Sequence, residues 1–438
     1  MLCLIIGAAV RIIWGLVIHP PLDFIFSDMQ GYVDRAKRVA SGAAPERYDA
    51  FYPPGGHILL SIPIKLFGPD RAGLWAGAVL WCALSIAVTW LAWWLARQLL
   101  TPVAAALTAA FCAFWPLYIT YGAFFSSEVP SLAFMLAALC VAVRATRAGG
   151  YNGAIFALMA GILGGVAAAI RPQWMLNLLV VAALLLLKFR RHIAPLASFA
   201  LGVALVLGLV VQYNSRAAHQ LTSISENSGL VFFIGHCDAH DVTTVNKGVT
   251  FGFGPPPASQ TNRGGSYTFE DRDIWDQAFF YRQGWDCIRR DGAHHLLVLA
   301  QNVVDMTVIT IPWPQSNNAH GERDIVQAAN LIYCALLPWI VIEALFLIRR
   351  RRRAGQPAGE AIMLAHLACA IPLAILTFGD PRYRSVYDVF GLALLAALLA
   401  DRFHLDRSAA ASAPSEPSST TVTSTEAAAS GTSKTSDG

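Results

Sequence analysis

Ser27-Asp28-Met29-Gln30-Gly31-Tyr32-Val33-Asp34-Arg35-Ala36-Lys37-Arg38-Val39-Ala40-Ser41-Gly42 separates two strongly apolar runs, and the reading of the fold turns on it. Ser27 with Gln30 three residues on predicts a capping box that opens a helix, and Gly42 predicts its stop. Tyr32, Val33, Ala36, Val39 and Ala40 form a stripe at helical spacing, which leaves Arg35, Lys37 and Arg38 to face away. Such a helix lies on a membrane surface or against other helices; it does not cross. It belongs to a first outer loop running from Ile18 to Lys65, which also holds Phe51-Tyr52-Pro53-Pro54-Gly55-Gly56-His57.

The rest of the chain explains why that loop is an exception. Of 438 residues, 55% are hydrophobic and only 14% charged, which excludes a soluble globular domain. Apolar runs near the roughly 20 residues needed to cross a hydrocarbon core recur throughout, and alternating barrel patterning is absent. The fold class expected is an all-α polytopic membrane protein of about ten spans. They fall near 2–18, 73–95, 103–121, 130–143, 152–170, 173–187, 194–211, 327–348, 361–378 and 386–400. Met1 to Ile18 lacks a basic start and a small-residue cleavage site, so it reads as a retained first helix. Arg97, Arg144/Arg147, Lys188/Arg190/Arg191 and Arg349–Arg353 fall on alternate loops, which the positive-inside rule makes cytoplasmic together with both termini. The net charge of +4 sits in these loops and reports topology, with no nucleic-acid partner implied. Leu296 to Ile311, interrupted by Gln301, Asn302 and Asp305, reads as an interfacial helix; a crossing there would give eleven spans.

Four regions follow: a membrane core over 1–211 that includes the first outer loop (19–71), a large mixed outer loop with the interfacial helix over 212–326, C-terminal membrane helices over 327–402, and a cytoplasmic tail over 403–438. After Arg407 the tail has the composition of a disordered segment. Gly252-Phe253-Gly254-Pro255-Pro256-Pro257 and Asn262-Arg263-Gly264-Gly265 carry turn chemistry, not strand or helix patterning, and suggest a mobile flap. Six of the eight cysteines sit in apolar runs as packing residues. Cys237 and Cys287 share the large loop, where they pair in an oxidising compartment or stay as two thiols.

No nucleotide-binding signature is present, so the polar residues of the outer face must carry any chemistry. Asp28 and Glu128 each stand in the first turn of a helix opening outward, where the helix dipole alone would favour an acid. Aromatic residues crowd both places (Phe51, Tyr52, Tyr118, Tyr121, Phe124, Phe125), which weakens the purely local explanation. Arg171, before Pro172, and Arg382-Tyr383-Arg384, after Asp380-Pro381, end outer turns. Arginine there can snorkel to headgroups or pair with Asp380, but its forked donors equally suit a lipid phosphate. His236-Cys237-Asp238-Ala239-His240-Asp241 invites a metal reading, but only His294-His295 offers a loose second cluster, and polar loop residues explain it better.

Taken in order, Asp28-x-x-x-Tyr32-x-x-x-Ala36, Tyr52-Pro53-Pro54-Gly55, Ser126-Ser127-Glu128-x-Pro130, Arg171-Pro172 and Arg382-Tyr383 resemble the GT-C glycosyltransferases, such as the protein O-mannosyltransferases and the lipid A aminoarabinose transferases. Two features depart from that pattern: Met29 stands where a second acid is common, and Ser385-Val386-Tyr387 where prolines usually follow. The resemblance implies a sugar donor linked to polyprenyl phosphate and a lipid, glycan or protein acceptor. Asp28 would be the general base on the acceptor hydroxyl, and Glu128 a second carboxylate or the holder of a divalent cation. Arg171, Arg382 and Arg384 would bind the donor phosphate, while Tyr32, Tyr52, His57 and Tyr383 line the site. No cofactor is required, since the sugar arrives activated on its lipid. The resemblance and topology together imply a bacterial inner membrane with the site facing the periplasm or exterior. A transporter or lipid flippase, and a polymerase or ligase of lipid-linked glycans, are the alternative readings; the absence of visible internal repeats speaks against the transporter.

Overall fold

The computed structural model describes residues 1–148, 150–189, 193–237, 239–245, 248–253, 265–270, 272–308 and 322–405. Arg190, Arg191, Asp238, most of the stretch from Gly252 to Gly265 and the tail from 406 onward lie outside them. The membrane core opens with α1 (Leu2–Ile13), continued by a π-helical turn at Trp14–Ile18, then α2 (Asp28–Ser41), α3 (Arg47–Phe51), α4 (Gly55–Phe67) and α5 (Arg71–Leu99). It continues through α6 (Pro102–Phe114), α7 (Pro116–Tyr121), α8 (Glu128–Ala148), α9 (Gly150–Ile170), α10 (Trp174–Lys188) and α11 (Ala194–Ala218). The large loop comprises α12 (Ser228–Cys237), β1 (Ala239–Val245), β2 (Gly248–Phe253), β3 (Gly265–Glu270), α13 (Gln277–Asp291) and α14 (His295–Val308). Closing the bundle are α15 (Glu322–Arg353), α16 (Glu360–Ala368), α17 (Ala370–Leu376), α18 (Pro381–Ser385) and α19 (Asp388–Arg402).

Every span expected from the sequence falls on helix. Among the described residues six helical segments are long and apolar enough to cross a membrane: Leu2–Asp23, Arg71–Leu99, Glu128–Ala148, Gly150–Ile170, Ala194–Ala218 and Glu322–Arg353. The other four expected spans rest on shorter or interrupted helices. The one near 103–121 breaks between α6 and α7 at Trp115, because Pro116 has no N–H to offer the Cys112 carbonyl. Arg11, buried in α1, takes up the break: Nη2 donates to Cys112 O at 2.8 Å, Nη1 to Ala113 O at 2.6 Å and Nε to Ser85 Oγ at 3.1 Å. An arginine in a membrane helix is thus satisfied by backbone and hydroxyl oxygens. α9 and α11 pack with backbones in near contact, and a Cβ on Gly161 would stand 2.2 Å from the Phe199 carbonyl oxygen. α19 is buried almost all round, as a helix at the centre of the bundle must be.

The first loop and the large loop depart from expectation in four places. The α2 helix spans Asp28–Ser41 and stops at Gly42 with φ +74°, as read, but no capping box forms. Gln30 instead donates to Asp34 Oδ1 at 2.7 Å, and Ser27 sits at φ +50°. Arg35 does not face away. It is fully buried, with Nε donating to Tyr48 O at 2.9 Å and its guanidinium 3.8 Å over the Tyr48 ring and 4.6 Å over Tyr52. Nor does the outer loop run unbroken to Lys65. α4 is an apolar helix whose Leu60 and Ile64 pack with Met29, Val33 and Trp81 in one buried cluster. Finally, β1, β2 and β3 form an antiparallel sheet, with Gly252 and Phe253 pairing Ser266 and Gly265 where only turn chemistry was read.

The long loop is tied down by α14, whose Asn302 turns inward and donates to Gly235 O at 3.0 Å and Thr377 O at 3.4 Å. That inward polar contact and a length of 14 residues fit the interfacial reading of the stretch. Cys237 and Cys287 form a disulfide between α12 and α13, which leaves no thiolate for a metal at His236.

Candidate active site

Five short backbone breaks converge on one cavity of about 480 Å³. The first is the start of α2, which presents Asp28. The second is the extended residue after α3, which presents Tyr52. The third is the turn before α8, fixed by the Trp81 indole donating to Ser126 O at 2.9 Å, which sets Ser127 and Glu128. The fourth and fifth are the turns Arg171-Pro172 between α9 and α10 and Asp380-Pro381 opening α18. Asp380 caps that helix by accepting from the Arg382 N–H at 2.6 Å.

Asp28 is held from two sides. The Tyr52 hydroxyl donates to its Oδ1 at 2.6 Å, and Arg382 Nη1 donates to its Oδ2 at 2.9 Å. Arg382 Nε also donates to Glu128 Oε1. The same Glu128 oxygen accepts from Arg171 Nη1 at 2.6 Å, and that nitrogen also donates to Ser127 Oγ at 2.8 Å. Two carboxylates and two guanidiniums therefore form a continuous chain, Asp28–Arg382–Glu128–Arg171, which is neutral overall. Glu128 is 1% exposed and lies behind the cavity wall, while Asp28, Arg171 and Arg382 line it. Burial alone would lower the Arg382 pKa, but Glu128 and Asp28 outweigh it and hold the group well above its ordinary value. Burial, then the Asp28 charge, pushes Tyr52 well above the usual tyrosine range, so it stays a neutral donor. Burial likewise raises Tyr383, to about 12.

The residues expected from the sequence thus divide. Asp28, Arg171, Arg382, Tyr32, Tyr52 and Tyr383 all face one cavity, with Glu128 bridging the two arginines. Arg384 is elsewhere. Its side chain points into the bundle, where Nε lies 3.2 Å from Asp388 Oδ1 and Nη2 donates to Asn330. His57 is fully buried on α4 beside the Tyr213 ring and is not part of the cavity wall. Helix periodicity explains Arg384: two residues on from Arg382, it projects from the opposite side of a single helical turn.

Several residues were not anticipated. Gln173 Oε1 accepts from Arg171 Nε and Nη2 at 3.1 and 3.0 Å, and its amide donates to Tyr383 O, which joins two of the breaks. Arg35 braces Tyr52 from behind. Its spacing from Asp28 and Tyr32, seven and three residues, puts all three on one helix face. Ser225, Asn227 and Ser228 form a polar part of the cavity lining. They are fixed by buried Glu226, whose Oε2 accepts from Arg47 Nε at 3.1 Å and whose N–H donates to Ala50 O at 2.8 Å.

A divalent cation does not fit this arrangement. Its place would lie between Asp28 and Glu128, where the Arg382 guanidinium already bonds both carboxylates. Among the described residues no group of three or more His, Cys, Asp or Glu side chains is arranged to hold a metal. His236 is engaged instead with His295, Nδ1 to Nε2 at 3.0 Å.

Comparison with known proteins gives the site a context. Residues 52–213 match the family model described as dolichyl-phosphate-mannose-protein mannosyltransferase. No curated protein sequence matches the chain. An apo oligosaccharyltransferase from Archaeoglobus fulgidus shares the fold at a TM-score of 0.52 and 13% identity, over 93% of this chain and 51% of that one. The same enzyme with an inhibitory peptide and a dolichol-phosphate aligns at 0.49 and 15%, over 93% and 51%. ArnT from Cupriavidus metallidurans bound to undecaprenyl phosphate aligns at 0.39 and 14%, over 92% and 77%. The chain spans about half the length of the archaeal enzyme. Over residues 52–213 the chain is thus similar to the dolichyl-phosphate-mannose-protein mannosyltransferases, and its mainly helical membrane fold is similar to that of the archaeal enzyme.

Proposed function

We propose that the chain transfers a sugar from a polyprenyl-phosphate carrier to an acceptor hydroxyl, with Asp28 as general base. The observation that carries this reading is the coupling of Asp28 to Arg382 in a cavity that Arg171 and Arg382 both line. In the reaction the acceptor oxygen attacks the anomeric carbon while its proton passes to an Asp28 oxygen. The bond from that carbon to the phosphate oxygen breaks, and its electron pair leaves with the phosphate. Charge gathers on the phosphate, and two fixed guanidiniums at low dielectric stabilise it without reorganisation. A donor phosphate also competes with Asp28 for Arg382, so donor binding frees the base from its counter-ion while Tyr52 keeps it aimed. Leu373, Leu376 and Val231 supply an apolar side for the first prenyl units, and Tyr32, Tyr52 and Tyr383 supply flat faces for a sugar.

Helix polarity supports the orientation. The cavity is built at the starts of α8, α10 and α18, and Arg147 and Lys188 close the far ends of α8 and α10. The positive-inside rule then places the cavity outside, with both termini in the cytoplasm, which suits a bacterial inner membrane and an envelope acceptor. The test is Asp28→Asn, assayed with polyprenyl-phosphate sugars by release of free polyprenyl phosphate. Turnover should fall by roughly 10²–10⁴ in a normally inserted protein; full turnover in that variant rejects the assignment. Product mass, one sugar or a whole chain added, separates transfer from ligation.

A further inference from the structure

A second cavity, of about 670 Å³, lies at the opposite ends of the helices from Asp28, between the last turns of α15 and α19. Its rim carries Arg349, Arg350, Arg353 and Arg402, and its walls include Trp339 and Phe346. The acids beside it do not match those charges. Asp401 pairs with Arg350 and Glu343 adds one more carboxylate, so two acids face four arginines. Arg351, outside this cavity, is matched separately by Glu360 at 3.3 Å. Among the described residues no carboxylate lies within ion-pair distance of Arg349, Arg353 or Arg402. A helix C-terminus favours a cation in its last turn, but that local preference does not call for a half-open groove lined by Trp339 and Phe346 beside the arginines.

From this juxtaposition we infer that the cavity binds one anionic phospholipid, with its phosphate among the arginines and the start of an acyl chain against Trp339 and Phe346. The positive-inside rule puts it on the cytoplasmic face, where anionic headgroups meet basic pockets between membrane helices. Phosphatidylglycerol satisfies both halves, a single negative charge and two acyl chains. The site is separate from the donor cavity in position and in charge: the donor site is internally neutral, this one carries a surplus of two cations.

The test uses the full chain in detergent, titrated with phosphatidylglycerol or phosphatidylcholine and read by native mass spectrometry. The lipid should bind in preference to phosphatidylcholine, and the pair Arg349→Gln/Arg353→Gln should weaken it by roughly thirtyfold, taking each basic side chain near an anionic headgroup at its usual worth. The pair Arg97→Gln/Lys188→Gln removes the same charge from the same side away from the cavity and should leave affinity unchanged. Equal weakening by both pairs would mean diffuse surface attraction, and equal affinity for phosphatidylcholine would mean no headgroup recognition; either overturns the inference. So does glycerol phosphate competing as well as intact lipid, which would point to a free phosphate site. Independently of any arginine change, acyl-brominated phosphatidylglycerol should quench a component of tryptophan fluorescence that Trp339→Phe abolishes; quenching identical in that variant also overturns it.

Discussion

Replacing Glu128 with Gln separates two roles that the sequence alone left joined. Glu128 is 1% exposed, and one of its oxygens receives both Arg171 and Arg382. Removing one partner of a buried ion pair usually costs about 3–5 kcal/mol, because the other charge is left uncompensated. Here the loss is cushioned. Gln keeps an acceptor oxygen, Arg171 retains Ser127 and Gln173, and Arg382 retains Asp28. The expected destabilisation is therefore at the lower limit, about 3 kcal/mol. Buried free thiols at Cys112 and Cys140 give the assay, since a thiol-reactive fluorophore reports their exposure as the protein unfolds with heat. Glu128 does not touch the cavity, so turnover at saturating donor should fall much less than the 10²–10⁴ expected of a proton-transfer group, while the donor KM rises as the arginines lose their anchor. A variant with an unchanged unfolding midpoint and a thousandfold lower kcat would refute the positioning role and return Glu128 to the chemistry.

Arg11→Met should cost about 3 kcal/mol in the same thermal assay, because the Cys112 and Ala113 carbonyls lose their donors at the α6–α7 break; an unchanged midpoint would show that the break is otherwise satisfied. Cys237→Ser opens a disulfide across a sequence separation of 50 residues and should destabilise the outer region by about 4 kcal/mol, read as faster proteolysis between α12 and α13. His236 gives a pH dependence: burial, then its neighbour His295, lowers its pKa to about 4. Its contribution is fully present above the unfolded value near 6.5 and is lost as pH falls from there to about 4, when the unfolded chain alone takes up the proton. That is worth up to about 3 kcal/mol at acid pH, and His236→Phe should flatten the unfolding midpoint over this range; an equally steep wild-type and variant profile would assign the effect to another group.

The membrane core was legible because its signals are local. Apolar length identifies a span, and loop arginines orient it, so all ten expected spans land on helix. What the sequence concealed are contacts whose partners lie far away along the chain. A charged residue on an amphipathic helix ordinarily faces water, and that rule sent Arg35 outward; the Tyr48 and Tyr52 rings that accept its charge arrive from beyond the end of the helix. α4 was missed because Pro63 and a length of 13 residues made Gly55–Phe67 too short to count as a crossing. The candidate site shows both cases. Asp28, Glu128, Arg171 and Arg382 could be chosen one by one, as polar residues at outer helix ends. Their order, Asp28–Arg382–Glu128–Arg171, could not, since it joins positions up to 354 residues apart. Yet the proposed chemistry rests on that order. The Arg382 guanidinium, bonded to both carboxylates, occupies the place between them that a metal ion would take, and Arg171 completes the charge balance. The single link that an incoming phosphate can break without exposing a buried charge is the one to Asp28, which is 23% exposed. In the proposed reaction the deeper link to Glu128 would stay closed, so the donor's own charge would decide when Asp28 is set free.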